Sequence, residues 1–322
     1  MKKNKKIVCL GGGNAMPKAV LTGLKKYPVK ISVISAMLDS GGGAGKEREQ
    51  YQTGVSFGDF RRAALALSEI KEKDKKRFAY RYESGPLAGH VVANLYCSLS
   101  VFGNNNIEKS FNNLIDDIND DLKIPSDYKI FPATLVNSSL GVELENGRII
   151  LGESNVDIPK HDPRLKIKKA FLLPKAEAYP KAIKEIKKAD LIVIGPGDLY
   201  SSLSQVLLTN GLAAAIKKSK AKKVYICNIM TKRGETEEFL VADFSSEIEK
   251  ILGLSIDYVI YNTAVPQKEI LDKYKKIHQE LISLVGINNN LPKNKFIGRS
   301  ILKRGTLEHD TKKVCKVLTS LI

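Results

Sequence analysis

Ile7-Val8-Cys9-Leu10-Gly11-Gly12-Gly13-Asn14, followed after a short helical stretch by Lys30–Met37 and then Asp39-Ser40-Gly41-Gly42-Gly43-Ala44-Gly45, decides the fold. Each piece is an apolar run of strand length that ends in glycines. Between them, Pro17 to Lys26 has Ala19, Val20 and Leu24 on one helical face. Pro17 suits a first helical turn, where a missing N–H costs nothing. The stretch is a β-α-β unit with a glycine loop at the carboxyl end of each strand, where ligands bind in open parallel sheets.

The same alternation continues along the chain. Gly58-Asp59-Phe60-Arg61 opens a helix predicted through Glu69, and Val91–Val101 reads as another. The segment from about 131 to 158 breaks the rhythm, with short strands at Phe131–Asn137, Leu140–Leu144 and Arg148–Glu153. Glu145-Asn146-Gly147 between the last two is a hairpin turn signal. Strands follow at Leu191–Ile194, Lys223–Asn228 and Tyr258–Asn262, and a short one around Ile301. Helices are expected after the loop Gly195-Pro196-Gly197-Asp198 through Leu208, at Ala213–Lys218, near 267–284 and over about Asp310–Leu321. The pattern predicts a Rossmann-like α/β fold. It has a doubly wound, mostly parallel sheet with right-handed connections and a β-hairpin insertion, in one domain over 1–322.

Composition narrows the function. The chain has 322 residues, 43% apolar and 27% charged, which is ordinary globular usage and excludes general disorder. Cys9, Cys97, Cys227 and Cys315 share no CxxC spacing, so no zinc ribbon or thioredoxin-like motif is available. No apolar stretch approaches the roughly 20 residues that cross a bilayer. The basic start, Met1 to Lys6, runs into glycines too soon for a signal peptide. The expectation is a cytoplasmic protein without a membrane partner. The net charge of +17 invites nucleic acid, but only ten of the 52 basic residues are arginine. The lysines are scattered over Lys2–Lys6, Lys71–Lys76, Lys166–Lys169, Lys217–Lys223 and Lys273–Lys276. No helix-turn-helix, zinc finger or RNP pattern is present, so nucleic acid is disfavoured as the main partner. An anionic small molecule fits as well as solvated lysine faces do.

The loops supply the candidate chemistry. Gly11 and Gly13 match two positions of a dinucleotide fingerprint, but Met16 stands where the third glycine belongs, and no GKS or GKT is present. A turn exposing backbone N–H groups to a phosphate remains, and so does a plain sharp β-to-α turn. The second loop has four glycines in seven residues, with Lys46 and Arg48 directly after it, which suits an anion. Asp39 offers itself to a ribose or substrate hydroxyl, to a metal, or as a cap on the turn. Gly195-Pro196-Gly197-Asp198-Leu199-Tyr200-Ser201-Ser202 repeats the logic at a third strand end, and Asn228 to Thr236 adds polar groups at a fourth. His90 and Asn94 share a helical face, either as a site pair or as a capping histidine beside a buried asparagine. His161, His278 and His309 lie in charged stretches and read as surface residues. Four histidines without metal spacing argue against zinc.

Taken in order, Gly11-Gly12-Gly13, Asp39-x-Gly-Gly, Gly58-Asp59-x-Arg61, Gly89-His90-x-x-x-Asn94, Gly195-Pro196-Gly197-x-Leu199-Tyr200-x-Ser202 and Cys227-Asn228-x-Met230-Thr231-x-x-Gly234-Glu235-Thr236 resemble the CofD/YvcK family over roughly residues 7 to 320. The stretches at 195–203 and 227–236, with the β-rich insertion, resemble its YvcK-type gluconeogenesis factors. The resemblance implies a nucleotide-sugar-binding regulator of carbon metabolism, cell-wall synthesis and cell shape, with a ligand of the UDP-N-acetylglucosamine type or another nucleotide diphosphate. The alternative is a transferase of the 2-phospho-L-lactate type, moving a phosphate-ester group from a nucleotide diphosphate donor to a hydroxyl. A magnesium ion enters only in that alternative; otherwise no cofactor or metal is expected. A homodimer is left open. The implied ligand-binding residues are Gly12, Gly13, Asn14, Asp39, Gly41, Gly42, Lys46, Asp59, Arg61, His90, Asn94, Gly195, Gly197, Tyr200, Ser201, Asn228 and Thr231. This chain departs from the family pattern at Asn14-Ala15, where Thr-Gly is usual, and at Ser40, where a second aspartate is lost.

Overall fold

The computed structural model describes residues 4–103 and 106–322. Lys2 and Lys3 of the basic start lie outside them. In chain order the strands are β1 Lys5–Gly11, β2 Val29–Ser35, β3 Tyr128–Pro132, β4 Ser139–Leu144, β5 Ile149–Leu151, β6 Ile167–Leu173, β7 Leu191–Ile194, β8 Lys222–Ile226, β9 Met230–Lys232, β10 Tyr258–Asn262, β11 Leu281–Leu284 and β12 Phe296–Arg299. Seven of them form the central sheet in the order β12-β10-β8-β7-β1-β2-β3. Every pairing in it is parallel. The fold is Rossmann-like α/β, as the alternating pattern predicts.

Both faces of a parallel sheet are covered, so its inner strands are continuous apolar runs. Ile7–Leu10 and Leu191–Ile194 are fully buried, and Ile7 sits in register with both Ile31 and Leu191. From β1 the chain first winds outward through β2 and β3, then returns to β7 and winds the other way. The order therefore reverses between β1 and β7. The loops after these two strands diverge there and leave a crevice.

Three local expectations need correction. Phe131 and Pro132 belong to β3, the edge strand of the central sheet, rather than to the insertion. The insertion is an antiparallel sheet β5-β4-β6 that extends to Leu173 and carries a short helix, Glu153–Asp157. The hairpin at 145–147 does join β4 to β5. The helix expected near 267–284 stops at Ile277, and Leu281–Leu284 pairs antiparallel with Met230–Lys232 in a second small sheet. The strand placed around Ile301 lies at Phe296–Arg299. Among the described residues no helix is long and apolar enough to cross a membrane.

Candidate functional site

The crevice between β1 and β7 opens into a cavity of about 470 Å³. Its walls are the loops after β1, β2 and β7, the start of the helix Gly58–Leu67, and the insertion's helix Glu153–Asp157. Gly12 and Gly13 let these walls meet. A Cβ on Gly13 would lie 2.6 Å from Asp59 Cα, and one on Gly12 would fall on the Ser202 hydroxyl. Their lack of side chains is a packing requirement before it is a ligand contact. The second glycine loop opens the helix Gly42–Gln50, whose N-cap, Gly41, brings no side chain to the orphan N–H groups. Residues Gly41 to Ala44 line the cavity. This helix start is thus an uncapped set of donors at the edge of an open space, which suits an anion.

Three arginines join it. Arg61 is buried, and its Nε donates to Asn94 Oδ1 at 2.8 Å. Burial, then the neighbouring Arg62 charge, lowers its pKa to about 10, which still leaves it charged at neutral pH. Arg62 pairs with Asp59 Oδ1 at 2.9 Å, one helical turn back. Arg81 donates to the Gly89 carbonyl at 2.5 Å. All three line the cavity.

Opposite them stand carboxyls. Asp39 Oδ1 accepts from the Gly41 N–H at 2.8 Å, closing the turn into the helix. Glu153 Oε2 accepts from the Ser40 N–H at 3.3 Å. Burial first, and the Asp39 charge second, push the Glu153 carboxyl up to about 9, so it carries a proton at neutral pH. Asp59 is also held above the usual carboxylate range by burial, opposed by Arg62.

The third glycine loop works differently. The N–H groups of Tyr200 and Ser201 both donate to Glu235 Oε2, at 2.9 and 3.2 Å, and Ser201 Oγ donates to Glu235 Oε1 at 2.7 Å. A carboxylate of the chain itself already fills this helix start. Glu235 in turn shares the Lys232 ammonium with Asp157 and Asp198, at 3.0 Å to Glu235 and 2.9 Å to Asp198. The three carboxylates could gather around a metal ion. With the lysine ammonium among them, the set does not suit a magnesium ion. Burial lifts Asp198 to about 6 even against the pull of Lys232.

A second cavity, of about 420 Å³, adjoins the first and shares Asn14, Ala15, Gly197 and Asp198 with it. Ile229, Met230, Leu281 and Leu307 give it an apolar lining, and the Tyr274 and His278 rings lie 4.5 Å apart at 33° on its wall. Asn228 Nδ2 donates to the Gly197 carbonyl at 2.9 Å. His309 Nε2 meets the Cys227 carbonyl at 3.1 Å, and burial lowers this imidazole's pKa to about 4, so it is neutral. His278 and His309, expected at the surface, both line this cavity.

Of the residues singled out from the sequence, the first cavity gathers Gly12, Gly13, Asn14, Asp39, Gly41, Gly42, Asp59, Arg61, Asn94, Gly197 and Ser201, and the second adds Asn228. Five line neither. Lys46 is exposed on the helix beyond its first turn. His90 is buried with its Nδ1 3.0 Å from Glu47 Oε1. Gly195 lies under Met16, where a Cβ has no room. Tyr200 is a core side chain. Thr231 Oγ1 is 3.0 Å from Ser283 Oγ, between the strands of the small sheet. Arg62, Arg81, Glu153, Asp157 and Lys232 escaped the sequence reading. Arg62 could have been found from its spacing of three after Asp59. Arg81 lies in a segment with no periodic or motif signal, and Glu153 ends a stretch read as a strand of the insertion but opens a helix instead.

An uncapped helix start and three arginines lie together at the switch point of a parallel, Rossmann-like sheet. The family model described as 2-phospho-L-lactate transferase CofD matches residues 7–316. The chain is 40% identical over 270 residues to the gluconeogenesis factor of Listeria innocua, covering 83% of this chain and 80% of that one. It is 32% identical over 332 residues to the gluconeogenesis factor of Bacillus subtilis, covering 100% and 99%. The crystal structure of a UPF0052 family member from Bacillus halodurans superposes with a TM-score of 0.89 at 30% identity, over 99% of this chain and all of that one. The chain belongs to the CofD family, as a YvcK-type member similar to the gluconeogenesis factors.

Proposed function

We propose that this protein is a cytoplasmic binding protein for a nucleotide diphosphate sugar of the UDP-N-acetylglucosamine type, and that ligand occupancy regulates carbon metabolism, cell-wall synthesis and cell shape. The observation that carries the reading is the convergence of Arg61, Arg62 and Arg81 with the uncapped start of the helix Gly42–Gln50 on one cavity. A diphosphate takes up such donors, and arginine forks match its oxygens. The adjoining apolar cavity, with its Tyr274–His278 ring pair, suits a flat base, and Asn228 and neutral His309 offer polar edges. Asp39, which lines the cavity, would accept from a sugar or ribose hydroxyl. The carbon-metabolism part is supported by relatives named gluconeogenesis factors. Four free, buried cysteines accord with a reducing compartment.

One observation favours a second reading, a transferase of the phospholactate type. A protonated Glu153 beside Asp39 is a pair that could exchange a proton with an acceptor hydroxyl. Thermal-shift and calorimetric titration with UDP-N-acetylglucosamine, UDP and inorganic pyrophosphate separate the two. A ligand at 100 times its Kd stabilises by about 2.7 kcal/mol. The expected order is UDP-N-acetylglucosamine above UDP above pyrophosphate. No shift with any UDP-sugar at millimolar concentration, or turnover of a phospholactyl nucleotide with a deazaflavin acceptor, overturns the binding reading.

A further inference from the structure

The outermost strand of the central sheet on the β10 side is open along one edge. β12 pairs with β10 alone. The Val259 and Thr263 N–H groups donate to the carbonyls of Lys295 and Arg299. Backbone groups alternate sides along a strand, so those of Phe296 and Gly298 face outward. The Gly298 carbonyl takes Nη1 of Arg299 at 2.8 Å, and the Gly298 N–H points along the free edge. Beside this edge a groove of about 480 Å³ lies between β12 and the last helix, Thr311–Thr319. It shares no lining residue with either cavity of the candidate site. Ile297, Ile301, Val317 and Leu321 give it an apolar floor, and Arg299, Lys313 and Lys316 stand along it. None of its lining residues is acidic. Among the described residues these three cations form no ion pair; Arg299 and Lys313 reach only the backbone carbonyls of Gly298 and Leu302.

We propose that this groove docks an extended acidic segment of a partner protein, which adds to the sheet beside β12. An open strand edge offers main-chain hydrogen bonds to any extended chain, and the side chains beside it select which chain. Ile297 and Arg299 are two residues apart, so they share one face of the strand. A segment laid against them turns every second residue toward the groove, and those residues must be apolar and acidic in turn. The acidic character follows from three cations with no carboxylate of the chain to meet them. A second copy of this chain is the wrong occupant, because it brings the same three cations to the same edge. Edge lysines and arginines are how sheets avoid pairing with themselves. A nucleic-acid backbone would meet the cations but would use neither the apolar floor nor the free main-chain groups.

The test uses the full chain and the fluorescein-labelled peptide acetyl-Ile-Thr-Glu-Thr-Glu-Thr-Ile-amide, followed by fluorescence anisotropy. Saturable binding is expected, and an analogue N-methylated along its whole backbone, of equal charge, should not bind. Saturation should slow exchange of the Gly298 N–H with water at least about tenfold, read from its amide resonance. Lys316 is exposed, so Lys316→Glu keeps the fold. It should raise the Kd about tenfold and improve binding of the same peptide with lysine for glutamate. Lys313→Glu is a second variant with the same expected signs. Four results each overturn the proposal: no saturable binding, equal binding of the N-methylated analogue, unchanged Gly298 exchange, or tighter binding of a thymidine heptanucleotide than of the peptide.

Discussion

Replacing Lys232 by methionine removes one ammonium and leaves three carboxylates facing one another. The Lys232 side chain is 5% exposed and that of Glu235 is fully buried, while Asp157 and Asp198 keep 35% and 40%. Methionine retains the length and most of the packing, so the loss is electrostatic. Breaking a buried pair by deleting one partner costs about 3–5 kcal/mol, and Glu235, which has no water to turn to, carries most of it here. With 322 residues and about 2.1 cal/mol/K per residue, the unfolding entropy is about 0.68 kcal/mol/K, so a loss of about 4 kcal/mol lowers Tm by about 6 °C. Calorimetric melts of wild type and Lys232→Met at pH 7.5 and pH 5 are the assay. Asp198 is already lifted by burial against the pull of Lys232, and without the ammonium it is lifted further. The variant therefore regains stability as pH falls toward the ordinary carboxylate range, and the gap to wild type narrows at pH 5. A gap under about 1 kcal/mol at pH 7.5, or one that is the same at both pH values, refutes the idea that Lys232 neutralises this cluster.

Glu153 titrates at about 9 in the fold against an ordinary value of 4.5, so its contribution to stability declines as pH climbs through that window. Glu153→Gln should flatten the pH–stability profile between pH 6 and 9 and gain on wild type toward pH 9; parallel profiles in urea unfolding would remove this assignment. His309 titrates at about 4 against 6.5, the opposite case. Its stabilisation is complete above pH 6.5 and lost as pH falls toward 4, by at most about 1.4 kcal/mol per pH unit. Replacing it with asparagine should remove that slope, which unfolding curves at pH 7 and 5 would show. Gly43 has the Gly89 carbonyl where a Cβ would go, and this backbone atom cannot swing aside. Gly43→Ala should cost about 1–3 kcal/mol and also weaken pyrophosphate binding by displacing the helix start. A variant of wild-type affinity would show that this helix start is not the anion site.

The fold was legible because its decisive strands are buried on both faces and end in glycine. Leu191–Ile194 and Tyr258–Asn262 lie where the apolar runs place them. Met230–Lys232 and Leu281–Leu284 were missed because each is a strand only by virtue of the other, across 50 residues of chain. The site divides along the same line. Loops that carry their own glycines announced themselves, and twelve of the residues named from the whole sequence border one of the two cavities. Whether a helix start is free or already filled was not legible, since the group that fills the third one, Glu235, arrives from 35 residues away. Arg81 and Glu153 reach the cavity by tertiary packing alone.

The serine at position 40 shows how such packing changes the meaning of a sequence departure. Read along the chain, Asp39-Ser40-Gly41-Gly42 has lost a carboxylate. In the fold, Ser40 Oγ accepts from the Ser154 N–H at 3.0 Å and meets Ser154 Oγ at 3.2 Å, while its own N–H donates to Glu153. The insertion's short helix is docked onto the glycine loop by these contacts, and docking places Glu153 beside Asp39. An aspartate at position 40 would add a charge next to that of Asp39, at about 1–4 kcal/mol for a like-charged neighbour 4 Å away. A neutral hydroxyl makes the same junction without that repulsion. The count of carboxyl groups at the loop is preserved, but the second one now comes from the insertion and holds a proton.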